Sequence, residues 1–334
     1  MLLTTTVGSF PKPDYLVKAR NLFGQKRISE LELKELERKA TKEVIRLQEE
    51  IGLDILVHGE MERGDMVTYF AERLKGFEIS GPVRSYGNRY YRKPVVRGKV
   101  KRGSPITLEM YHYAQGLTQK PVKAILTGPY TMCDWSFNES FRSRRNVMLN
   151  LAEVIHQEAF DLDRSGAQYI QIDEPAISTR PEEIGLAIEA MRIVTEGLKA
   201  KTISHICYGD LAAVYPEILD LPVDQLALEF ANSGFSNLET FRKSPFTKEI
   251  ALGVVDVHSP VVEKKEKIKE NIRKALEVFP PEKMYISPDC GLKTRKPQEA
   301  EAKLRAMVSA VKEIREEIGV AHVMNDRCRS EKTN

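Results

Sequence analysis

The chain has 334 residues, 42% hydrophobic and 30% charged, a balance that suits a globular enzyme with a substantial core. Its 51 Lys and Arg against 48 Asp and Glu leave a net charge of +3, too mild to demand a nucleic-acid partner. No run of about 18 apolar residues argues for a membrane span, and the start, MLLTTTVGSF, lacks the basic and apolar regions of a secretory signal, so the chain reads as cytoplasmic.

Short apolar runs bounded by turn residues recur in chain order. They are LLTTTVGS to Ser9, DILVHGE to Glu60, KAILTGP to Pro129, YIQIDEP to Pro175, TISHICY to Tyr208, LALEF to Phe230, IALGVVDVHSP to Pro260 and MYISPDC to Cys290. These are eight predicted strands. Amphipathic segments separate most of them. Residues 28–51 place Leu33, Leu36, Ala40, Val44, Leu47 and Ile51 on one helical face. Ser29 and Glu32 form a predicted capping box there, and Gly52 a stop. A helix over 139–165 ends at Gly166, and Pro181 opens the next. Further helices are predicted over 261–278 and over 297–318, the last running into Gly319.

Strands alternating with helices predict a parallel sheet, and eight such units fit one (β/α)₈ TIM barrel. We expect a single catalytic domain over 1–334. Its main insertion, about 76–121, lies between the second and third strands and reads as a hairpin followed by a short helix. A doubly wound open sheet is the alternative. No G-x-G-x-x-G follows the first strand, which counts against a dinucleotide-binding version.

Barrel enzymes carry their chemistry at the C-terminal strand ends. Here those ends hold Ser9, His58, Glu60, Asp173, Glu174, His205, Cys207, Glu229, Asp256, His258, Asp289 and Cys290. Helix capping would account for Ser9 or Asp256 alone, but histidines and cysteines are poor caps. The four cysteines, 133, 207, 290 and 328, are too few for a disulfide scaffold and read as free thiols or metal ligands. Alternation puts His205 and Cys207 on the same side of their strand. Neighbouring strand ends could add Glu229 and Cys290, and that donor set suits a tetrahedral Zn²⁺. The competing reading keeps Cys207 and Cys290 as small buried apolar residues.

Asp173 and Glu174 are neighbours, so one faces the barrel mouth, where it could bind an ammonium group, and the other faces the helices. Residues 84–102 hold eight Lys or Arg and no acid, interleaved with Tyr86, Tyr90 and Tyr91. That composition fits a stacking platform for a flat heterocycle or a solvated hairpin face. Trp135, the one tryptophan, follows the third strand and is either a stacking wall or a packing residue.

Seven blocks in order, TTTVGSFP, LVHGEMERGDMVTYF, ILTGPYTMCDWSF, IQIDEPA, HICYGD, DVHSP and SPDCGLKTR, resemble the catalytic half of cobalamin-independent methionine synthases. The similarity runs from about residue 3 to residue 296 and points to the short single-barrel version known from archaea. It implies zinc held by His205, Cys207, Glu229 and Cys290. It implies homocysteine held by Val7, Gly8, Ser9, Glu60 and Asp173. Trp135, Arg89 and Tyr90 fall on the methyl-donor side, and His258 matches a proton donor. Tyr90 stands where the two-barrel members carry a cysteine, and the resemblance has no counterpart to their other barrel. The implied reaction moves a methyl group to the thiol of L-homocysteine. Its donor is a methyl-folate, a methyl-methanopterin or a methyl-corrinoid on a carrier protein.

Three other readings compete with this one. A zinc alkyltransferase acting on another thiol, such as coenzyme M, fits the same ligands. A zinc hydrolase would favour histidines and carboxylates over two thiolates. An RNA-binding role would rest on residues 84–102 alone and would show a steep salt dependence.

Overall fold

The computed structural model describes residues 1–84, 90–140, 142–207, 209–244 and 246–330. In chain order it contains β1 (Leu3–Thr4), α1 (Asp14–Gly24), α2 (Glu30–Ile51), β2 (Leu56–Val57) and α3 (Met66–Ala71). Next come β3 (Leu74–Arg84), β4 (Tyr90–Arg102), α4 (Leu108–Gln115), β5 (Val122–Thr127), α5 (Pro129–Asp134), β6 (Phe137–Asn138) and α6 (Arg144–Arg164). They are followed by β7 (Tyr169–Asp173), α7 (Ile184–Thr195), β8 (Lys201–Ile206), β9 (Gln225–Leu228) and α8 (Leu238–Lys243). The described chain closes with β10 (Glu249–Val255), α9 (Lys265–Leu276), β11 (Met284–Pro288) and α10 (Pro297–Ser330).

Eight strands form one sheet in the order β1-β11-β10-β9-β8-β7-β5-β2, with every recorded pairing parallel. Each of the eight predicted strands has its counterpart in this sheet. The two ends of that order are bridged: the N–H groups of Asp54 and Ile55, just before β2, donate to Thr4 O at 3.1 and 3.0 Å. One sheet face packs the helices in the main core. On the other, Ile55, Ile203, Ala227, Ala251 and Tyr285, from around the strand order, meet in a separate buried cluster. Strands that enclose a small apolar interior in this way are consistent with a TIM-type barrel. β3 and β4 lie outside this sheet, antiparallel to each other, with β6 beside β4.

Local signals explain the elements. Ser29 Oγ accepts from Glu32 N–H at 3.2 Å, and Glu32 Oε2 accepts from Ser29 N–H at 2.8 Å, closing the capping box of α2. Leu33, Ala40, Val44 and Ile51 form its buried stripe, and Gly52 ends it at φ +92°. The two largest boundary differences from expectation lie in α6 and α10. α6 starts at Arg144 rather than 139, because Ser143 Oγ caps Asn146 N–H at 3.2 Å. α10 runs through Gly319 to Ser330, since one glycine inside a long helix costs only about 1 kcal/mol. No helix among the described residues is long and apolar enough to cross a membrane.

Candidate functional site

Parallel strands place their C-terminal ends on one side of the sheet, and a cavity of about 170 Å³ opens there. Its walls include Val7, Ser9, Glu60, Trp135, Asp173, His205, Cys207 and Cys290. All of these were candidates from the sequence. A larger cavity, about 470 Å³, lies on the side of α1, α2 and α3 and is lined by ion-pairing side chains without a thiol. The smaller one has the chemistry.

His205, the penultimate residue of β8, pairs in register with Asp173 on the adjacent strand β7. Its ligand nitrogen and the Sγ atoms of Cys207 and Cys290 all lie within 4.8 Å of one another. His205 Nδ1 is 3.2 Å from Ala227 O. A carbonyl only accepts, so the proton sits on Nδ1 and the Nε2 lone pair is exposed toward the thiols. Nε2 is buried and has no hydrogen-bond partner among the described residues. A ring nitrogen fixed by a carbonyl behind it is the usual support of a metal-binding imidazole. The two Sγ atoms are 3.8 Å apart. Cys290 is held well below the ordinary thiol value by its hydrogen bond with Cys207 and by His205, against burial. Cys207 is pushed up by the same bond and by burial. Two soft sulfurs and a lone-pair nitrogen converge in one buried place, which fits a thiophilic cation such as Zn²⁺.

Glu229 is not part of that group of three. It is half-buried just beyond β9 and lines an adjoining hollow that shares Cys207 with the main cavity. Its segment is anchored by Asp289, whose carboxylate accepts from the N–H groups of Phe230, Ala231 and Asn232 at 2.9, 3.0 and 2.6 Å. Asp289 is thus a backbone anchor between two predicted ligands.

The adjoining wall is built by β7, the strand next to β8, and by the turn after β1. Asp173 faces the cavity, while Glu174 accepts from Tyr130 N–H at 2.9 Å and Thr131 N–H at 2.7 Å at the start of α5. The neighbours therefore divide as alternation requires. Gly128, which opens α5, has no room for a Cβ because the Glu174 side chain fills that space. Burial raises Asp173 to about 7; His205 opposes the shift and Glu60 adds to it. Glu60 sits at φ +55°, after Gly59 at +81°. That turn brings its carboxylate against Gly8, where a Cβ would stand 2.7 Å from Glu60 Oε1. Arg63, 3.9 Å from Glu60 Oε1, is buried, donates to Glu62 at 3.0 Å and to Ile125 O at 2.8 Å, and lies beside the Tyr69 and Phe70 rings.

Trp135 follows the last residue of α5 and forms part of the cavity wall. His258 is exposed on the loop after β10, next to the lining residue Val257, with its N–H on Asp256 Oδ1 at 2.7 Å; it is not itself a lining residue. Arg89 lies outside the described residues, and Tyr90 opens β4. Sequence reasoning gave no role to Lys293 and Thr294, which also line the cavity, nor to Lys123 and Gln171 beneath it. A lysine inside the otherwise apolar run VKAILT was the available signal.

Comparison with known proteins identifies the family. The family described as cobalamin-independent synthase, catalytic domain, matches residues 2–313. The methionine synthase of Saccharolobus solfataricus is 40% identical over 319 residues, which cover 95% of this chain and 96% of that one. That of Sulfolobus acidocaldarius is 39% identical over 95% of this chain and 94% of its own length. A solved B12-independent methionine synthase from Shewanella, in complex with selenomethionine, superposes with a TM-score of 0.86 at 27% identity, covering 96% of this chain and 99% of that chain.

Proposed function

This chain belongs to the cobalamin-independent synthase family through its catalytic domain, and from that premise we propose a zinc-dependent methyltransferase that converts L-homocysteine to L-methionine. The reading takes the sheet as a closed (β/α)₈ barrel, the segment 76–121 as its insertion, and the whole as one cytoplasmic catalytic domain. The observation that carries it is the convergence of His205, Cys207 and Cys290 on a cavity that two carboxylates, Glu60 and Asp173, also line.

His205, Cys207 and Cys290 would hold the zinc, with Glu229 from the adjoining hollow as the fourth donor. Bound there, zinc would favour the thiolate form of an acceptor sulfur near neutral pH without redox chemistry. The chain supplies the rest. Asp173 and Glu60 offer negative charge to an ammonium group, and the Val7–Ser9 backbone offers polar groups to a carboxylate. Two carboxylates oppose a sulfonate-bearing thiol such as coenzyme M and favour an amino acid. Trp135 gives a flat wall to a methyl-pterin donor, and the family resemblance assigns Arg89 and Tyr90 to donor binding. His258 supplies the proton that a tertiary amine needs before it can leave.

Zinc content is measured first, then homocysteine methylation with methyl-folate, methyl-methanopterin and methylcobalamin in parallel. We expect about one zinc per chain and turnover with at least one donor. A fully active metal-free protein would sink the proposal. His258→Asn separates the donors: it should slow a pterin donor and spare a corrinoid, whose methyl group leaves without protonation.

A further inference from the structure

Every residue of β5 is buried, yet its second residue is a lysine. Lys123 is 2% exposed, and a buried ammonium is costly unless its protons are taken up. Its Nζ donates to Thr6 O at 2.9 Å and to Gln171 Oε1. Gln171 stands on the adjacent strand β7 and is 0% exposed. An ammonium has only donors, so it must meet the amide oxygen, and the amide nitrogen is forced the other way. Gln171 Nε2 then donates to Val7 O at 2.8 Å and to Asp173 Oδ1 at 2.7 Å.

Those two acceptors come from different parts of the chain and are both cavity walls. Val7 belongs to the segment proposed to hold the acceptor's carboxylate end, and Asp173 to the amino end. One buried amide, locked in one orientation by one buried lysine, ties them together. Packing alone would be met by apolar side chains here, as it is in the neighbouring cluster of Ile55, Ile203, Ala227, Ala251 and Tyr285. A buried polar pair is retained at a cost that a functional geometry can offset.

We propose that Gln171, oriented by Lys123, is a positioning residue for acceptor binding, fixing the Asp173 carboxylate relative to the Val7 backbone so that both ends of the amino acid meet a preset site. This rests on the reading of the cavity as an amino-acid acceptor site. The carboxylate keeps capacity for a ligand, because the bond to Gln171 engages Oδ1 and a carboxylate has about four lone-pair sites. Burial draws Lys123 down to about 7, and Asp173 first and then Glu60 oppose that shift in favour of the ammonium form.

The test compares zinc-loaded wild type with Gln171→Met, Gln171→Glu, Lys123→Met and the Lys123→Met/Gln171→Met pair. It reads KM and kcat for homocysteine, calorimetric homocysteine affinity, zinc content and thermal midpoint. Gln171→Met should raise KM about tenfold or more while kcat at saturation stays within about twofold. Gln171→Glu should do the same, because a carboxylate cannot donate to Asp173; it keeps the lysine partner, so it also serves if the methionine variant does not fold. Lys123→Met should weaken homocysteine in the same direction, and the pair should be no worse than Gln171→Met alone. Wild-type KM in both Gln171 variants, or additive losses in the pair, would overturn the inference while leaving the acceptor reading intact. Wild type that neither binds nor methylates homocysteine would remove the acceptor reading, and this inference with it.

Discussion

The two walls of the cavity satisfy their polar groups differently. On the wall of β7, Asp173 accepts from Gln171, Gln171 from Lys123, and Glu174 from two helix N–H groups. On the wall of β8 and the turn after β11, His205 Nε2 has no hydrogen-bond partner among the described residues, and it lies near two thiols whose Sγ atoms are 3.8 Å apart. Buried polar atoms are otherwise paired in native proteins. The first wall is shaped by the protein alone, whereas the second suits completion by a cation. The difference separates residues that should fail by losing metal from residues that should fail by losing substrate affinity.

The largest expected effect breaks the second wall. Cys290→Ser should lose most of its zinc and lower methyl transfer on the order of a thousandfold, because a hard hydroxyl replaces a thiolate donor. The fold should persist, judged by circular dichroism, since the core does not depend on that thiol. Chelation should lower the thermal midpoint of wild type and leave that of Cys290→Ser unmoved, as metal stabilises only the chain that binds it. Retained zinc in the variant would contradict the ligand assignment.

The next effect belongs to the first wall. Asp173→Asn should keep its zinc and raise the homocysteine KM roughly 10- to 100-fold, the cost of a lost charge-assisted hydrogen bond. A variant that lost zinc instead would move Asp173 to the other wall. One position along, Glu174→Gln should leave KM unchanged and cost about 1–2 kcal/mol of stability, because an amide NH₂ cannot accept from one of the two helix N–H groups. Denaturant unfolding with parallel kinetics distinguishes the neighbours.

The smallest effect lies outside both walls. Glu37, buried on α2 beside Arg20 at 3.0 Å, is raised to about 7 by burial, which outweighs the pull of that arginine. The folded chain therefore holds this proton more tightly than the unfolded one. Stability from Glu37 is full below its ordinary value of 4.5 and is lost as pH rises toward 7. Glu37→Gln should flatten that part of the decline in thermal midpoint by a few degrees. A slope identical to wild type would show that the glutamate titrates normally.

The strand count was readable because each strand is a short apolar run ending in turn residues, and the period changes sharply where α2 begins. The ends of α6 and α10 were not, since Ser143 and Gly319 act through local geometry that composition does not reveal. Within the site, His205 and Cys207 were legible as a pair because strand alternation is a local rule. The family resemblance made the longer spacings to Glu229 and Cys290 specific. Gln171 and Lys123 escaped notice because an amide or a lysine in a strand has no meaning until its partner is known.

Residue order alone determined the parallel alternation, the residue types at the strand ends and the family, because these depend on neighbours a few positions away. Only the tertiary structure decided which of those residues meet. It drew Cys290 to within 3.8 Å of Cys207 across 83 residues, set Glu229 in the adjoining hollow, and left His258 on an exposed loop. It also joined Val7 to Gln171 across 164 residues. The physical reason is that a sheet converts distance along the chain into a fixed order across strands, and side chains far apart in sequence become partners only once that order is set.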